Sequence, residues 1–315
     1  MDFRNGEELL SLCKRERLTI AQAMLKREIE KNTEEVEAGK REAEKPRSGA
    51  EREKEERRIR EVKKVEEKMK RALEIMHLSA KEPLEKTVQS MGGLIGGEAE
   101  KLEKGRQAGL DICGEVITKA ITYAMAVLEV NASMGVIVAA PTAGSSGVLP
   151  GVLFALQEKY ELSDEVLIHG LYTAGAVGYL LMRNASVSGA QAGCQAEVGS
   201  ASAMAAAAAV EMLGGTPEQA LSAAAGAISN LLGLVCDPVG GLVENPCQNR
   251  NAAGAVNALI NAQQALAGIR QKIPFDEMLQ VMADVGRSMP FELKESALGG
   301  CAAAPSACSS CTGLK

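Results

Sequence analysis

The chain has 315 residues, 46% of them apolar, and a formal net charge of −6 at pH 7. These values fit a globular protein with one large core or two smaller ones, and the acidic balance argues against a nucleic-acid partner, which requires a concentrated basic surface. Aromatic residues make up only 3% of the chain, whereas Ala and Gly are abundant, and this composition favours closely packed helices. No basic start followed by an apolar run opens the sequence, so we expect no secretory signal and a cytoplasmic location.

Charged residues dominate the first quarter of the chain. Residues 5–25 predict a short helical start, and residues 26–71 predict a charged hairpin of two solvated helices joined by a turn at 46–50. We interpret the hairpin as an exposed spacer, with a partner-docking arm as the alternative. The predicted regions are an N-terminal helical region over 1–90, a central region that carries the candidate site over 91–300, and a cysteine-containing tail over 301–315.

The central region predicts a series of helices. Its glycine-rich start, residues 91–98, lacks the Gly-Lys-Ser or Gly-Lys-Thr sequence of a phosphate loop and predicts a boundary loop. Apolar recurrence then predicts a helix over 108–132. Capping residues and terminal glycines delimit the helices that follow, which are 150–160, 163–182, 200–213, 217–232, 251–268 and 275–287.

The most apolar window, residues 166–182, has about the shortest length that spans a bilayer. It contains His169 and several small residues, so we interpret it as a buried core helix and expect no membrane association. Strands that alternate with crossover helices are not evident, which disfavours a doubly wound α/β sheet. We therefore predict an all-α fold, with an Ala- and Gly-rich multi-helix central domain and a charged N-terminal helical segment.

A loop of small and hydroxyl residues, Pro-Thr-Ala-Gly-Ser-Ser-Gly at 141–147, separates the apolar run 135–140 from the helix at 150–160. Hydroxyl groups and free backbone amides at a helix N-terminus bind carboxylates and phosphates, because these amides lack carbonyl partners within the helix. The loop is therefore a candidate anion-binding site. A plain connector with a capping role is the alternative.

The chain contains eight cysteines, and three of them stand in polar, glycine-bearing turns. Cys194, Cys236 and Cys247 are therefore candidate ligands, since cysteines kept for packing usually occupy apolar runs. Their wide spacing matches neither the Cys-x-x-Cys element of structural zinc sites nor the compact ferredoxin pattern, so each thiolate must come from a separate loop. Three protein thiolates on an iron cluster leave one open position, which can act as a Lewis acid. Cys13 and Cys113 lie in helical apolar settings and are predicted to be packing residues.

Five stretches are specific enough to carry a resemblance to a known family. They are Pro-Thr-Ala-Gly-Ser-Ser-Gly-Val-Leu-Pro-Gly-Val-Leu-Phe-Ala at 141–155, Asn-Ala-Ser-Val-Ser-Gly at 184–189, Gly-Cys-Gln-Ala-Glu-Val-Gly-Ser-Ala at 193–201, Cys-Asp-Pro-Val-Gly-Gly-Leu-Val-Glu-Asn-Pro-Cys-Gln-Asn-Arg-Asn-Ala at 236–252, and Met-Pro-Phe-Glu-Leu-Lys-Glu-Ser-Ala-Leu-Gly-Gly at 289–300. These stretches resemble the iron–sulfur-dependent L-serine dehydratases, specifically the separate alpha chain that carries catalysis. The resemblance covers about residues 1–25 and 73–308.

The resemblance implies an all-helical catalytic domain with an oxygen-sensitive 4Fe-4S cluster, which converts L-serine into pyruvate and ammonia without pyridoxal phosphate (PLP). Cys194, Cys236 and Cys247 fall on the three ligand positions of that family. No lysine lies between Lys159 and Lys272, so the central segment offers no Schiff-base nitrogen. The family's ACT-like, serine-binding beta part is absent here, which implies a beta-chain partner, and we expect an oligomer.

The resemblance and the hydroxyl loop together lead to a hypothesis for the substrate site. The iron holds the serine hydroxyl, while the loop hydroxyls and nearby amides hold the carboxylate. The candidate substrate-binding residues are Thr142, Ala143, Gly144, Ser145, Ser146, Asn184 and Ser186. Candidates for the base that removes the α-proton are a beta-chain group, a displaced thiolate, Glu197, Asp237, Glu244 and His169. The alternatives are that Asp237 only caps a turn and that His169 is a core residue.

The C-terminal tail departs from the usual alpha-chain pattern, because it contains Cys301, Cys308 and Cys311. Single-chain relatives end in a cysteine that fills the fourth iron position at rest. The register from Gly300 places Cys308 nearest that position and Cys311 next, and incidental thiols on a frayed end are the alternative. Two other functions stay open: a deaminase or desulfidase for threonine or cysteine, and a non-catalytic iron–sulfur scaffold that docks a partner through residues 26–71.

Overall fold

The structure, a computed structural model, describes residues 2–41 and 50–310, and it describes their side chains except at 34–41, 50–58 and 308–310. Over the described ranges the backbone forms helices, turns and coil, and no β-strand. The all-α prediction is therefore confirmed. The α-helices are α1 (Gly6–Glu16), α2 (Ile20–Arg41), α3 (Ala50–Glu85), α4 (Glu98–Gln107), α5 (Glu115–Ala132), α6 (Val148–Tyr160), α7 (Asp164–Asn184), α8 (Gly189–Ala192), α9 (Ser200–Met212), α10 (Pro217–Ser229), α11 (Cys247–Leu266), α12 (Phe275–Ser288) and α13 (Pro305–Ser310).

Most helix boundaries follow the sequence predictions within a few residues, and three differences have identifiable reasons. The start predicted over 5–25 forms two helices, because Arg17 adopts a left-handed conformation (φ 56°) that ends α1. The helix predicted from residue 108 begins at Glu115, after Gly109 and Gly114 with positive φ. Helix α4 was not predicted from the sequence, because its highly charged sequence has little apolar recurrence.

The N-terminal region consists mainly of α1, α2 and α3, and α2 and α3 pack against each other. The turn predicted between them at 46–50 lies almost entirely outside the described residues. One continuous hydrophobic core contains residues from both sides of position 90, among them Leu9 and Leu149. The predicted division into regions at that position stays a prediction.

The alanine-rich helix α9 lies at the centre of the core, and α6, α7, α10 and α11 pack around it. Its run from 205 to 209, all alanine, is fully buried. Small residues also line the facing helix: a Cβ on Gly170 or Gly178 of α7 would lie 2.6 Å or 3.0 Å from side-chain atoms of Met212 or Met204, respectively. These contacts confirm the prediction of closely packed helices with small side chains between them.

Helix α7 is long and apolar enough to cross a membrane by length and composition alone. In the fold, 61% of its most apolar window is buried against other parts of the protein. Its main neighbours are α2 and α9, so it forms one layer of the core. The interpretation as a core helix is confirmed for the helix as a whole, whereas His169 is exposed on its surface and the core placement of that side chain is wrong.

Two carboxylates from distant parts of the chain cap the N-terminal helices. Glu211 of α9 accepts hydrogen bonds from the amides of Ile20 (2.6 Å) and Ala21 (3.0 Å) at the start of α2. Asp276 of α12 accepts one from the amide of Gly6 (2.6 Å) at the start of α1. Amides at a helix N-terminus lack intrahelical partners and carry partial positive charge, so carboxylates stabilise them. These bonds attach α1 and α2 to the central helices.

A third carboxylate fixes the helix that begins with Cys247. Glu129 of α5 is buried, and it accepts hydrogen bonds from the amide of Ala99 (3.0 Å) and the side-chain amide of Gln248 (3.1 Å). Burial raises the pKa of Glu129. The contacts join α4, α5 and α11, and they hold the residue next to Cys247 in place.

We expect Glu211→Ala to lower the free energy of unfolding by about 1–3 kcal/mol, because the buried amides of Ile20 and Ala21 lose their acceptors. Chemical denaturation followed by circular dichroism measures the change. Glu74→Ala is the matched control, since Glu74 forms an exposed ion pair whose loss should change stability by about 0.5 kcal/mol or less. Equal stabilities of the two variants would contradict the capping role of Glu211.

Candidate metal centre

The three cysteines of the polar turns belong to separate segments of the fold. Cys194 immediately precedes a π-helix over Gln195–Gly199. Cys236 lies in the coil after α10, where its amide donates to the carbonyl of Leu293 (2.9 Å). Cys247 is the first residue of α11. The three cysteines are therefore positioned by three different segments of the backbone.

Two of these cysteines form a compact group with a carboxylate. The sulfur atoms of Cys194 and Cys236 and one oxygen of Glu197 lie within 4.8 Å of one another, and Glu197 Oε2 is 3.9 Å from each sulfur. Cys247 stands outside this group but is also buried. The pKa of Cys247 is raised to about 12, chiefly by burial and also by the nearby charges of Cys194 and Glu197. The three thiols thus share one electrostatic environment.

Contacts and burial shift the pKa values of Cys194 and Glu197 in opposite directions. The pKa of Cys194 is lowered, chiefly by a hydrogen bond from Cys236, and Arg250 adds to the effect with Nη1 3.6 Å from the Cys194 sulfur. Burial raises the pKa of Glu197. These contacts therefore favour the ionised form of Cys194, whereas burial favours the neutral form of Glu197.

Glu197 connects the cysteines with the hydroxyl loop at 141–147. The hydroxyl of Thr142 lies close enough to Glu197 to lower the pKa of that carboxyl group, and it is 3.0 Å from the hydroxyl of Ser145. A Cβ on Gly144 would be 3.6 Å from Glu197 Oε1, so this carboxylate borders the loop. Short π-helical turns such as the one that carries Glu197 are rare and frequently occur at functional sites. The structure brings a candidate base, candidate ligands and a candidate substrate loop together.

The first half of the loop faces outward and the second half is buried. Ser145 and Ser146 are buried, and Ser146 Oγ donates to the carbonyl of Ala143 (2.7 Å). Their hydroxyls therefore hold the shape of the loop. The residues with exposed surface are Thr142, Ala143 and Gly144.

Asn251 of α11 fixes this loop against Cys247. Its Nδ2 donates to the carbonyls of Gly144 (2.7 Å) and Cys247 (2.9 Å). Its Oδ1 accepts from the amide of Gly147 (3.0 Å). Sequence reasoning missed Asn251 and Arg250, although both follow Cys247 by one helical turn and the i, i+3 and i, i+4 spacing places them on its face of the helix.

Asp237 and Glu244, two further base candidates, hold parts of the chain together. Asp237 is buried, pairs with Arg250 (2.7 Å) and accepts from the amide of Cys301 (2.6 Å). Glu244 accepts hydrogen bonds from the hydroxyl of Ser90 (2.6 Å) and from the amides of Gly92 and Leu94, in the loop after Ser90. A catalytic role for either carboxylate stays a prediction.

Asn184 is the last residue of α7, and Ser186 lies in the segment that joins α7 to α8. Asn184 Nδ2 donates to the carbonyl of Arg4 (2.8 Å), and Ser186 Oγ donates to the side chain of Gln191 (2.7 Å). The segment leads to Gly189, where a Cβ would lie 2.7 Å from an oxygen of Glu197. It therefore borders the candidate site, and substrate contacts by its two polar residues stay a prediction.

The remaining cysteines have different surroundings. Cys13 is buried in α1, as predicted for a packing residue. The same prediction is wrong for Cys113, which is exposed because it lies in the coil before α5. Cys301 is exposed beside Asp237. The side chain of Cys308 and the whole of Cys311 fall outside the described part of the chain, so the fourth-ligand hypothesis stays a prediction.

Comparison with known proteins identifies the family. The sequence profile of the family described as "Serine dehydratase alpha chain" matches residues 15–302. The chain belongs to the serine dehydratase alpha chain family. It is 46% identical to the "Probable L-serine dehydratase, alpha chain" of Bacillus subtilis (strain 168), over 96% of this chain and 92% of that protein. It is 48% identical to the "L-serine dehydratase, alpha chain" of Peptoniphilus asaccharolyticus, over 76% of this chain and 82% of that protein.

Some serine dehydratases combine this kind of chain with additional sequence. The "L-serine dehydratase" of Streptomyces coelicolor (strain ATCC BAA-471 / A3(2) / M145) is 47% identical over 57% of this chain, and the match covers only 40% of that protein. More than half of that relative therefore lies outside the region that this family member matches.

The residues present fit an iron–sulfur cluster. Three buried cysteines from separate segments supply the soft thiolate ligands that such clusters use. Gly189 keeps space beside them, because a Cβ there would lie 2.7 Å from Glu197 Oε2 and 2.9 Å from the sulfur of Cys236. The lack of lysine between Lys159 and Lys272 does not by itself exclude PLP. The fold brings a lysine from outside that segment, Lys294, beside Cys236 through a backbone β-bridge.

We expect Gly189→Ala to lower iron loading severalfold after anaerobic reconstitution, because the added methyl group enters the space between Glu197 and Cys236. The fold should be retained, since Gly189 starts a helix and alanine is a better helix former. Iron content per chain and thermal unfolding measure the two effects. Gly175→Ala on α7 is the matched control, because a Cβ at Gly175 meets no atom within 4 Å. Equal loading of both variants would contradict this role of Gly189.

Proposed function

We propose that this chain is the catalytic alpha chain of an L-serine dehydratase, which removes water from L-serine and yields pyruvate and ammonia. Family membership and the printed names of the Bacillus and Peptoniphilus relatives support the reaction. The observation that carries the proposal is the group of Cys194, Cys236 and Glu197 beside the hydroxyl loop. Loss of the α-proton and of the hydroxyl group leaves an enamine, which hydrolyses to the two products.

In this proposal Cys194, Cys236 and Cys247 hold a 4Fe-4S cluster. When bound, the cluster supplies an open iron position that acts as a Lewis acid on the leaving hydroxyl group. The chain prepares the site by its own contacts, because a hydrogen bond from Cys236 and the charge of Arg250 lower the pKa of Cys194, and a thiol must lose its proton to bind metal. A tail cysteine, Cys308 or alternatively Cys311, serves as the fourth ligand at rest.

The hydroxyl loop binds the substrate carboxylate. The amides of Ala143 and Gly144 start a 3₁₀ turn and so lack carbonyl partners within it, and the hydroxyl of Thr142 adds a donor beside them. The buried side chains of Ser145 and Ser146 fix the conformation of the loop through their hydrogen bonds to Thr142 and Ala143. A rigid set of donors orients the substrate and places its α-hydrogen toward the base.

The segment before Gly189 supplies further substrate contacts. We assign this role to Asn184 and Ser186, since the segment borders Glu197 and Cys236 through that glycine. The hydrogen bonds of their side chains to Arg4 and Gln191 hold the segment in place.

Glu197 is the base that removes the α-proton. Burial raises the pKa of its carboxyl group, so the ionised form is a stronger base than an exposed glutamate. It lies beside both Thr142 and the cysteine sulfurs, and therefore between the proposed carboxylate site and the proposed metal. The other two carboxylates have structural contacts. Asp237 accepts a hydrogen bond from the start of the C-terminal tail, and Glu244 accepts one from the loop at 90–94.

A second chain completes the enzyme. The alpha-chain names of the two relatives support a beta-chain partner, and we propose that this partner carries the ACT-like, serine-binding domain and forms an oligomer with the alpha chain in the cytoplasm. The extra sequence of the Streptomyces relative agrees with a catalytic region that works together with another domain. The charged segment 26–71 is a spacer or docking arm, outside the catalytic region over 91–300.

We expect the anaerobically purified alpha chain, combined with its beta chain, to form pyruvate from L-serine faster than from L-threonine or L-cysteine. Cys236→Ala should abolish turnover and the broad absorption of an iron–sulfur cluster, because one ligand is lost. Cys113→Ser is the matched control and should keep both, since Cys113 is exposed before α5. Faster turnover of threonine or cysteine would support the related deaminase or desulfidase. A colourless protein that turns over L-serine would refute the cluster.

We expect Glu197→Gln to lower kcat by about 10²–10⁴-fold while iron content stays close to that of the wild type, because the amide cannot accept the α-proton. Steady-state kinetics and iron analysis on the same samples separate these effects. Asp237→Asn is the comparison that tests the assignment. If that variant loses kcat with iron retained while Glu197→Gln remains active, the base is Asp237 and the assignment to Glu197 is wrong.

A further inference from the structure

Arg250 contacts all three cysteine segments. It lies on α11, three residues after Cys247, and only 15% of its side chain is exposed. Its Nη1 is 3.6 Å from the sulfur of Cys194. The same nitrogen donates to the carbonyl of Val235 (2.8 Å), the residue that precedes Cys236.

Asp237 anchors the guanidinium from the other side of Cys236. Its Oδ1 is 2.7 Å from Arg250 Nη1, and its Oδ2 accepts the amide of Cys301 (2.6 Å). The residues before and after Cys236 are therefore both bound to one side chain of α11. Through Asp237, the contact also extends to the start of the C-terminal tail.

We propose that Arg250 is a positioning residue, which holds the three ligand segments in a fixed arrangement and sets the reduction potential of the cluster through its charge. This inference rests on the proposed cluster at these cysteines. A guanidinium suits the role, because it offers several donors in a rigid plane and stays charged at all relevant pH values. A lysine ammonium retains the charge but not this planar geometry.

Loss of the guanidinium would leave buried polar groups without their partner. The carbonyl of Val235 and the sulfur of Cys194 would each lose a donor, and the carboxylate of Asp237 would lose its ion-pair partner. Unpaired buried groups destabilise the local structure. The backbone bonds from Gln195 to Leu234 and from Cys236 to Leu293 would then open more often. These amides report on the ligand segments in protein that contains no metal.

Hydrogen–deuterium exchange of the metal-free alpha chain tests the positioning role. We expect the amides of Gln195 and Cys236 to exchange severalfold faster in Arg250→Met than in the wild type, and at an intermediate rate in Arg250→Lys. The matched control is Arg287→Met on α12, where the arginine forms an exposed ion pair with Asp284 and exchange at both amides should not change. Wild-type exchange rates in both Arg250 variants would overturn the positioning role.

A redox titration of the loaded alpha–beta complex, followed by electron paramagnetic resonance, tests the electrostatic role. We expect a lower midpoint potential in Arg250→Met, because a positive charge and a hydrogen bond beside a ligand sulfur stabilise the reduced cluster. Arg250→Lys should restore the potential toward the wild-type value even though its exchange stays faster. An unchanged potential in Arg250→Met would overturn this part.

Two further outcomes are decisive. If Arg250→Met does not fold, as judged by circular dichroism, Arg250→Lys carries the test, and wild-type exchange rates at Gln195 and Cys236 in that variant refute the positioning role. If the wild type binds no iron under anaerobic reconstitution, the proposed cluster and the electrostatic role fail together. Exchange in the metal-free protein still decides whether Arg250 positions the three segments.

Discussion

The ion pair of Arg250 with Asp237, together with the contact of Arg250 with the sulfur of Cys194, is the interaction on which the geometry of the site depends. Burying a charge is strongly unfavourable unless an opposite charge and hydrogen bonds accompany it. Here the buried Asp237 carboxylate pairs with a cation from α11, and the same guanidinium donates to a sulfur in another segment. The raised pKa of Glu197 shows how the neighbouring group responds when burial is not matched by a cation. Charge balance therefore fixes which loops must meet at this point.

The helical frame makes this balance possible by holding the loops at defined distances. Close packing around the alanine-rich α9 leaves little freedom between α7, α10 and α11, so the segments at their ends are fixed relative to one another. Hydrogen bonds between side chains and the backbone then fix individual segments. The side-chain oxygen of Gln195 accepts a hydrogen bond from the amide of Gly233 (2.9 Å), and Asn251 links Cys247 to the hydroxyl loop. The site thus combines a closely packed core with polar segments at helix ends, where backbone amides are available.

Local patterns predicted the helices and the site segments, whereas contacts between segments could not be predicted from them. The cap of α10, Thr216, forms a capping box with Gln219, and its sequence signal lies within four residues. The cap of α2 is Glu211, almost 200 positions away, and no local pattern contains it. Arg250 gave a weak local signal through its helical spacing from Cys247, but its contacts with Val235 and Cys194 depend on tertiary packing. The exposure of Cys113 likewise follows from a helix start that two flanking glycines displaced.

Similar carboxylates in the central region have different environments, and this difference separates structural from catalytic assignments. Glu244 accepts three hydrogen bonds from a hydroxyl and two amides, and Asp237 accepts an amide and pairs with a guanidinium. The oxygens of Glu244 thus hold a neighbouring loop through hydrogen bonds, and those of Asp237 hold the tail and Arg250 through a hydrogen bond and an ion pair. Glu197 instead has two sulfurs at 3.9 Å and the hydroxyl of Thr142 as neighbours. A carboxylate with weakly polar neighbours and a raised pKa suits the proposed role of base, and this distinction depends on the neighbours that the fold supplies rather than on the residue type.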